Sequence, residues 1–161
     1  MRLTLGSRSY DLRTRALVMG VAGSPEELAA QGADIVELAE PARAERPVCV
    51  RARDDDGVRR ALAAGVDLLH LPEPTPASLA LCAEAGVAVL VPPGASAEAA
   101  AAGLPPERVV VDALLLDVTS ADLPAVPTAV GVIQGARIVR TADVPGARRV
   151  CDVLAAVLEA P

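Results

Sequence analysis

Aromatic side chains are almost absent. The 161-residue chain has no Phe, no Trp and a single Tyr, Tyr10. Its core must therefore be built from Ala, Val and Leu, which favours small, closely approaching elements. Lysine is missing too, so all 15 basic residues are Arg. There is one histidine, His70, which excludes any multi-histidine metal site. The three cysteines, Cys49, Cys82 and Cys151, form no CxxC pair. They read as buried free thiols in a reducing cytosol, against the alternatives of a metal site or a disulfide framework. No apolar run approaches the ~18 residues of a membrane span, and no basic start precedes an apolar stretch. Net charge is −6, with no basic stripe interleaved with aromatics. Nucleic acid and membrane are thus poor partners, and the expected setting is soluble and cytoplasmic.

What is present is 52% apolar residues, enough for a sizeable core, in a length that suits a single domain over residues 1–161. The stretch from Pro47 to Pro72 sets the theme. An apolar β-branched run, Val48 to Val50, is followed by a charged patch, Arg51 to Asp56. Val58, Ala61, Leu62 and Gly65 then recur at helical spacing, and a second apolar run, Val66 to Leu71, follows at once. Strand, helix, strand at this spacing is a βαβ unit with parallel strands. Strands apolar on both faces belong to parallel sheets covered by helices.

The rest of the chain repeats the unit. Residues 1–12 alternate around Gly6-Ser7 and predict a hairpin. Eight core strands are expected at 15–21, 33–39, 48–52, 66–71, 87–91, 108–116, 129–133 and 136–140. Ser24, Pro25 and Glu27 predict a capped helix start, and Thr75-Pro76 another. Asp117 to Pro127 carries two prolines and reads as a loop. Asp143 and Pro145 start a last helix running to about Glu159, with Val150, Val153, Leu154, Val157 and Leu158 on one face. The expected fold is α/β: a reduced TIM-type (β/α)8 barrel with an N-terminal β-hairpin and several helices shortened or missing. Helices after strands two and seven are expected to be absent, and the one after strand six reduced. The rival is an open doubly wound sheet of five or six strands. Only Gln134-Gly135 separates the last two expected strands, too little for a parallel crossover.

Several segments, in order, resemble dihydropteroate synthase and the wider pterin-binding family. LTLGSRSYDLRTRALVMGVAGSPEEL resembles that family's opening hairpin, first strand and the loop after it. GADIVELA resembles its second strand. PVCVRARDDDGVRRALAAGVDLLHL resembles its V-D-T strand, helix and I-N-D strand. ERVVVDA resembles the strand ending in D-P-G, and GARIVRTADVPGARRVCDVLAAV the terminal R-x-H-D strand and helix. The resemblance implies a truncated, divergent member of the family.

The same resemblance implies losses at the functional positions. Ala22 or Gly23 stands where the family has the Asn that helps bind magnesium and pyrophosphate. Arg51 stands for the Asp of V-D-T, His70 for the Asn of I-N-D, and Ala142 for the His of R-x-H-D. The p-aminobenzoate loop shrinks to Glu40–Arg46, and the pterin-binding lysine has no substitute. Asp112, the pterin-contacting carboxylate, and Arg140, which would face the pyrophosphate, remain. No cofactor and no metal ligand set is implied.

Chemistry alone points the same way. A departing pyrophosphate needs cations or a metal at the developing charge. Arg51, Arg53, Arg140 and His70 are expected at strand C-terminal ends, without an acid/base pair of obvious spacing. Asp112 reads as a ring-edge acceptor or a loop brace, and His70 as an interior histidine or a ligand contact. If Val48 and Val50 face the helices, Cys49 and Arg51 face inward. Arg51 is then expected to plug the pocket through Glu37 and Asp112, or to contact a ligand. Asp54 to Asp56 reads as a helix cap, with a cation site as the alternative. The candidate ligand-binding residues are therefore Asp112, Arg140, Arg51 and His70, with no catalytic residue assigned. The expected function is non-catalytic: binding a partner protein or a pterin-like or phosphate-bearing small molecule. The alternative is a divergent pterin-binding enzyme of folate-type metabolism using Asp112 and Arg140. A homodimer through the last helix, or a heteromer with a full-length synthase, is the expected assembly.

Overall fold

The computed structural model describes residues 1–158; the expected helix end at Glu159 and the side chain of Leu158 lie outside the described residues. Strands β1 (Arg2–Leu5) and β2 (Arg8–Asp11) pair antiparallel, as the alternation around Gly6-Ser7 predicts. Eight parallel strands follow: β3 (Leu17–Gly20), β4 (Ile35–Leu38), β5 (Val48–Arg51), β6 (Leu68–His70), β7 (Ala88–Val91), β8 (Val109–Val111), β9 (Leu115–Asp117) and β10 (Ile138–Thr141). Their spatial order is β8-β7-β6-β5-β4-β3-β10-β9. The last strand thus sits beside the first of the eight, and the sheet curls into a nearly closed TIM-type barrel. The open doubly wound alternative does not occur.

Alternating residues divide the strands between two cores. Outward-facing Val18, Val36, Val48, Val50, Leu69, Val89 and Val139 pack under the helices with Leu28, Val58, Ala61, Leu79, Cys82, Ala147 and Cys151. Inward-facing Leu17, Met19, Ile35, Cys49, Leu68, Leu90, Val110 and Ile138 fill the barrel together with Leu3, Leu5 and Leu12 of the hairpin region. The hairpin therefore stoppers the N-terminal end of the barrel. With no large aromatic available, these three leucines, each 1% exposed, supply that volume.

The helices are α1 (Pro25–Ala30), α2 (Asp55–Ala64), α3 (Pro76–Ala85), α4 (Ser96–Ala101), α5 (Ala125–Ile133) and α6 (Val144–Leu158). Ser24 and Glu27 form the expected capping box, and Thr75 caps α3 by accepting from the Ser78 amide. Asp54 caps α2 by accepting from the Gly57 amide at 2.7 Å, so the acidic triplet is used as a helix start. Gly65 closes α2 in the left-handed conformation, φ 76, that spares a Cβ clash.

Three expectations are corrected. Residues 129–133, expected as a strand, lie in α5. A short apolar run fits a strand or a buried helix equally by composition. Thr128 and Val132, four apart, are the buried pair that fixes the helix. Pro127 falls in the first turn of α5, where a missing N–H costs nothing, so it does not break the helix. The crossover to β10 is therefore a whole helix, and the two-residue link is no longer a problem. Second, the expected strand 108–116 is two strands, β8 and β9, joined by a 3-10 turn at Asp112–Leu114. One stretch of chain thus serves two barrel positions, and no helix separates them. The helix after β4 is missing as expected, but the one expected to be missing after strand seven is α5. Third, the buried stripe of α6 is Val144, Ala147 and Cys151, while Val153 and Val157 are 61% and 64% exposed. The helix is rotated away from its most apolar stripe because it packs jointly on β3 and on α5.

Candidate functional site

Inward parity carries one polar residue to the C-terminal end of most strands. Glu37 follows Ile35, Arg51 follows Cys49, His70 follows Leu68, Asp112 follows Val110, Asp117 follows Leu115 and Arg140 follows Ile138. The mouth of a TIM barrel is where βα loops and strand ends converge on ligands. All four residues singled out in the sequence, Asp112, Arg140, Arg51 and His70, stand at this mouth.

The centre of the mouth is an ion-pair network. Arg140 reaches past β3 to Glu37 with two parallel hydrogen bonds, Nε to Oε2 at 2.6 Å and Nη2 to Oε1 at 2.8 Å. Its Nη1 donates to Asp117 Oδ2 at 2.9 Å and to the Thr119 hydroxyl at 3.4 Å. The Glu37 hydrogen bonds, against some desolvation, push the Arg140 pKa up, so its charge is permanent. Burial would raise the Asp117 carboxyl, but hydrogen bonds from Thr119 and the Arg140 charge outweigh it and leave it low. Bidentate pairing of this kind is the strong form of the contact.

This corrects the expectation for Arg51. Glu37 pairs with Arg140 instead, and Arg51 is exposed at the rim. Among the described residues, neither Arg51 nor Asp112 has an ion-pair or side-chain hydrogen-bond partner. Register explains the exchange. Arg51 stands opposite His70 on β6, on the far side of β4 from Arg140, and lies one step nearer the rim. Arg51 and Arg53 instead line an open cavity of about 210 Å3 with Pro72 and Glu73. His70 is half-buried; burial first, then the Arg51 charge, lowers its pKa, so its imidazole is neutral near pH 7. It offers one donor and one acceptor beside an unpaired cation and an unpaired carboxylate.

Asp117 and Thr119 were not singled out in the sequence. Reading 108–116 as one strand hid the inward alternation Leu115, Asp117 that would have found the first of them.

The thiols carry no chemistry here. Burial pushes Cys82 up to about 11 and raises Cys49 and Cys151 as well, so none is a ready thiolate.

A magnesium ion does not fit this loop. Ala22 and Gly23 bring no side-chain donor, and the Ser24 hydroxyl is occupied by the Glu27 amide at 3.2 Å. Among the described residues, no three His, Cys, Asp or Glu converge. Ala22 nevertheless keeps a positive φ of 61. Asn tolerates that region far better than Ala.

No protein-family model matches the chain, and no curated protein sequence does. Its fold is that of the dihydropteroate synthases. The Yersinia pestis enzyme superposes with a TM-score of 0.80 at 16% identity over 99% of each chain. The Thermus thermophilus enzyme, solved with 6HMPPP, gives 0.79 at 21% identity over 98% of this chain and 100% of that one. The Xanthomonas albilineans enzyme, solved with 4-aminobenzoic acid, gives 0.75 at 18% over 99% of each. Among the described residues, no helix is long and apolar enough to cross a membrane.

Proposed function

We propose that this chain is a non-catalytic relative of dihydropteroate synthase that binds a pterin-like or phosphate-bearing small molecule at the barrel mouth. One observation carries the reading: Arg140, the cation expected to face a pyrophosphate, is held by Glu37 and Asp117. Releasing it for a leaving group would strand two carboxylates, at a cost of a few kcal/mol. Arg51 and the neutral His70 are suited to contact an anionic or polar ligand, and Asp112 to accept from an amino-substituted ring edge. Together they can hold a ligand without neutralising a departing charge.

The test is an incubation with dihydropterin pyrophosphate and p-aminobenzoate, alongside calorimetric titration with the pterin. The expected result is no turnover above a protein-free control, and pterin binding that Asp112→Asn abolishes. Turnover abolished by Asp112→Asn would establish the divergent enzyme instead.

A second reading, compatible with the first, is association with another copy of the chain. Leu123, Val126, Val130 and Ile133 of the α5 region are 48–76% exposed, beside the exposed Val153 and Val157 of α6. Apolar faces of this kind are seldom left to water. No charged residue lies between Ala125 and Gln134, so this face meets itself across a twofold axis without like-charge repulsion. A soluble, cytoplasmic setting belongs to the same proposal, supported by three buried free thiols.

A further inference from the structure

The hairpin end of the barrel, opposite the mouth, carries a second polar cavity. Its volume is about 220 Å3, and its lining includes Ser7, Arg8, Glu45, Arg46 and Asp67. Arg8 opens β2; Arg46 and Asp67 precede β5 and β6, so they lie at the N-terminal ends of those strands. The cavity is smaller than the ~300–1,000 Å3 of clefts for drug-sized ligands. Its arginine-rich, polar lining suits a small polyatomic ion.

The donors and acceptors around it are not balanced. Asp67 is already committed: its Oδ2 accepts from the Val48 amide at 2.9 Å. Its Oδ1 faces Gly6, whose φ of +55 and missing Cβ let the hairpin turn come this close. The Glu45 side chain is exposed, and its carbonyl accepts from Arg8 Nη2 at 2.9 Å. That bond ties the hairpin to the 40–47 loop. Among the described residues, neither Arg8 nor Arg46 forms an ion pair. Arg46 Nε is buried without an acceptor. A buried charged donor without a partner is costly, and such groups are rare unless something else satisfies them.

We propose that this cavity is an oxyanion site, taking a phosphate-sized anion between Arg8 and Arg46. The anion gives the two guanidinium groups, neither of them ion-paired among the described residues, a shared counter-charge and bridges the hairpin to the loop before β5. Binding there stabilises the stopper of the barrel without touching the mouth, and so stands independently of the proposed function.

Tyr10 makes the site directly observable. It is the only tyrosine of a chain without tryptophan. It is half-buried; burial raises its pKa, while a hydrogen bond with Arg8 and the charges of Arg8 and, more weakly, Arg46 pull it down against Asp34. An anion between them changes that field and with it the tyrosine emission. The experiment titrates inorganic phosphate, and in a second arm acetate, against a chloride control of equal ionic strength, following Tyr10 emission and thermal unfolding. The expected result is a rise in Tm with a saturable Tyr10 emission change, the emission change being the same in Arg51→Ala. Arg46→Gln and Arg8→Gln should weaken it at least tenfold, about 1.4 kcal/mol. Circular dichroism establishes that each variant is folded, and Arg8→Gln serves if Arg46→Gln is not. A stronger response to phosphate than to acetate assigns the site to phosphates; the reverse assigns it to carboxylates. No saturable response in the wild-type protein, or one that survives in the folded arginine variants, would overturn the proposal. A response lost only in Arg51→Ala would also overturn it, placing the anion at the mouth.

Discussion

Arg140 and Glu37 lie 103 positions apart in sequence and share two hydrogen bonds of 2.6 and 2.8 Å across the barrel mouth. Their side chains are 25% and 17% exposed, so the pair is shielded but not sealed from water. Removing Arg140 leaves two carboxylates facing each other with no cation. Arg140→Ala should therefore destabilise the fold by about 2–3 kcal/mol, somewhat below the ~3–5 kcal/mol of a fully buried pair. Arg51→Ala, at an exposed and unpaired position, should stay within about 0.5 kcal/mol of wild type. Urea denaturation of both variants checks this, and a double-mutant cycle with Glu37→Ala isolates the coupling. Equal stability of the two arginine variants would remove the mouth network from the list of stabilising features.

Ala22 sits at a positive φ of 61 on an exposed loop. A residue with a Cβ loses about 1–2 kcal/mol in the left-handed region, part of which glycine returns as chain entropy. Ala22→Gly should thus raise stability by about 0.5–1 kcal/mol, and Ala22→Asn should act in the same direction. Chemical denaturation midpoints decide it; a loss in both variants would mean that the Ala22 methyl packs usefully.

His70 gives acid sensitivity with a definite sign. Its folded pKa lies below the ordinary 6.5 because burial, then Arg51, disfavours the imidazolium. Above about pH 6.5 the histidine is neutral in both states and its contribution to stability is complete. As the pH falls below that value, the unfolded chain takes up a proton that the folded chain refuses, and stability drops until the folded pKa is reached. Glu37, Asp112 and Arg140 also act on this ring, the two carboxylates opposing the shift. Melting temperatures between about pH 7.5 and 5.5 should decline in the wild type and flatten in His70→Gln. A flat wild-type profile would contradict the burial of this ring.

Self-association through α5 and α6 predicts a dimer at micromolar concentration. Val130→Glu places a charge at the centre of the exposed face, and like charges oppose each other across a twofold axis. Light scattering should report a dimer for wild type and a folded monomer for the variant. A monomeric wild-type protein would dismiss the second copy as the occupant.

The parallel strands were legible wherever β-branched runs alternate with capped helices, from Leu17 to Val91. There, local propensity, caps and burial all agree. Legibility failed between Arg108 and Ile133. Val109 to Leu116 reads as one apolar run, and nothing local marks the turn at Asp112–Leu114. The prolines at 124 and 127 look like breakers, although a helix tolerates proline in its first turn. At the mouth, strand alternation pointed Arg51 inward, while His70, Asp112 and Arg140 were reached from their places at strand ends and from the family resemblance. Which cation takes Glu37 depends on register between strands distant in sequence, and alternation carries no information about that.

The neighbour relation between β10 and β3 has a consequence for how the chain reaches its native state. Every other pairing from β3 to β8 joins strands adjacent in sequence, so those βα units can assemble successively. Curling the sheet waits on residues 138–141, which pair with 17–20 across the largest separation in the sheet. Contacts of such long sequence separation carry the greatest loop-closure entropy and form slowly. During synthesis, the growing chain should therefore persist as an uncurled sheet with an exposed β3 edge until β10 emerges from the ribosome and α6 docks beneath it.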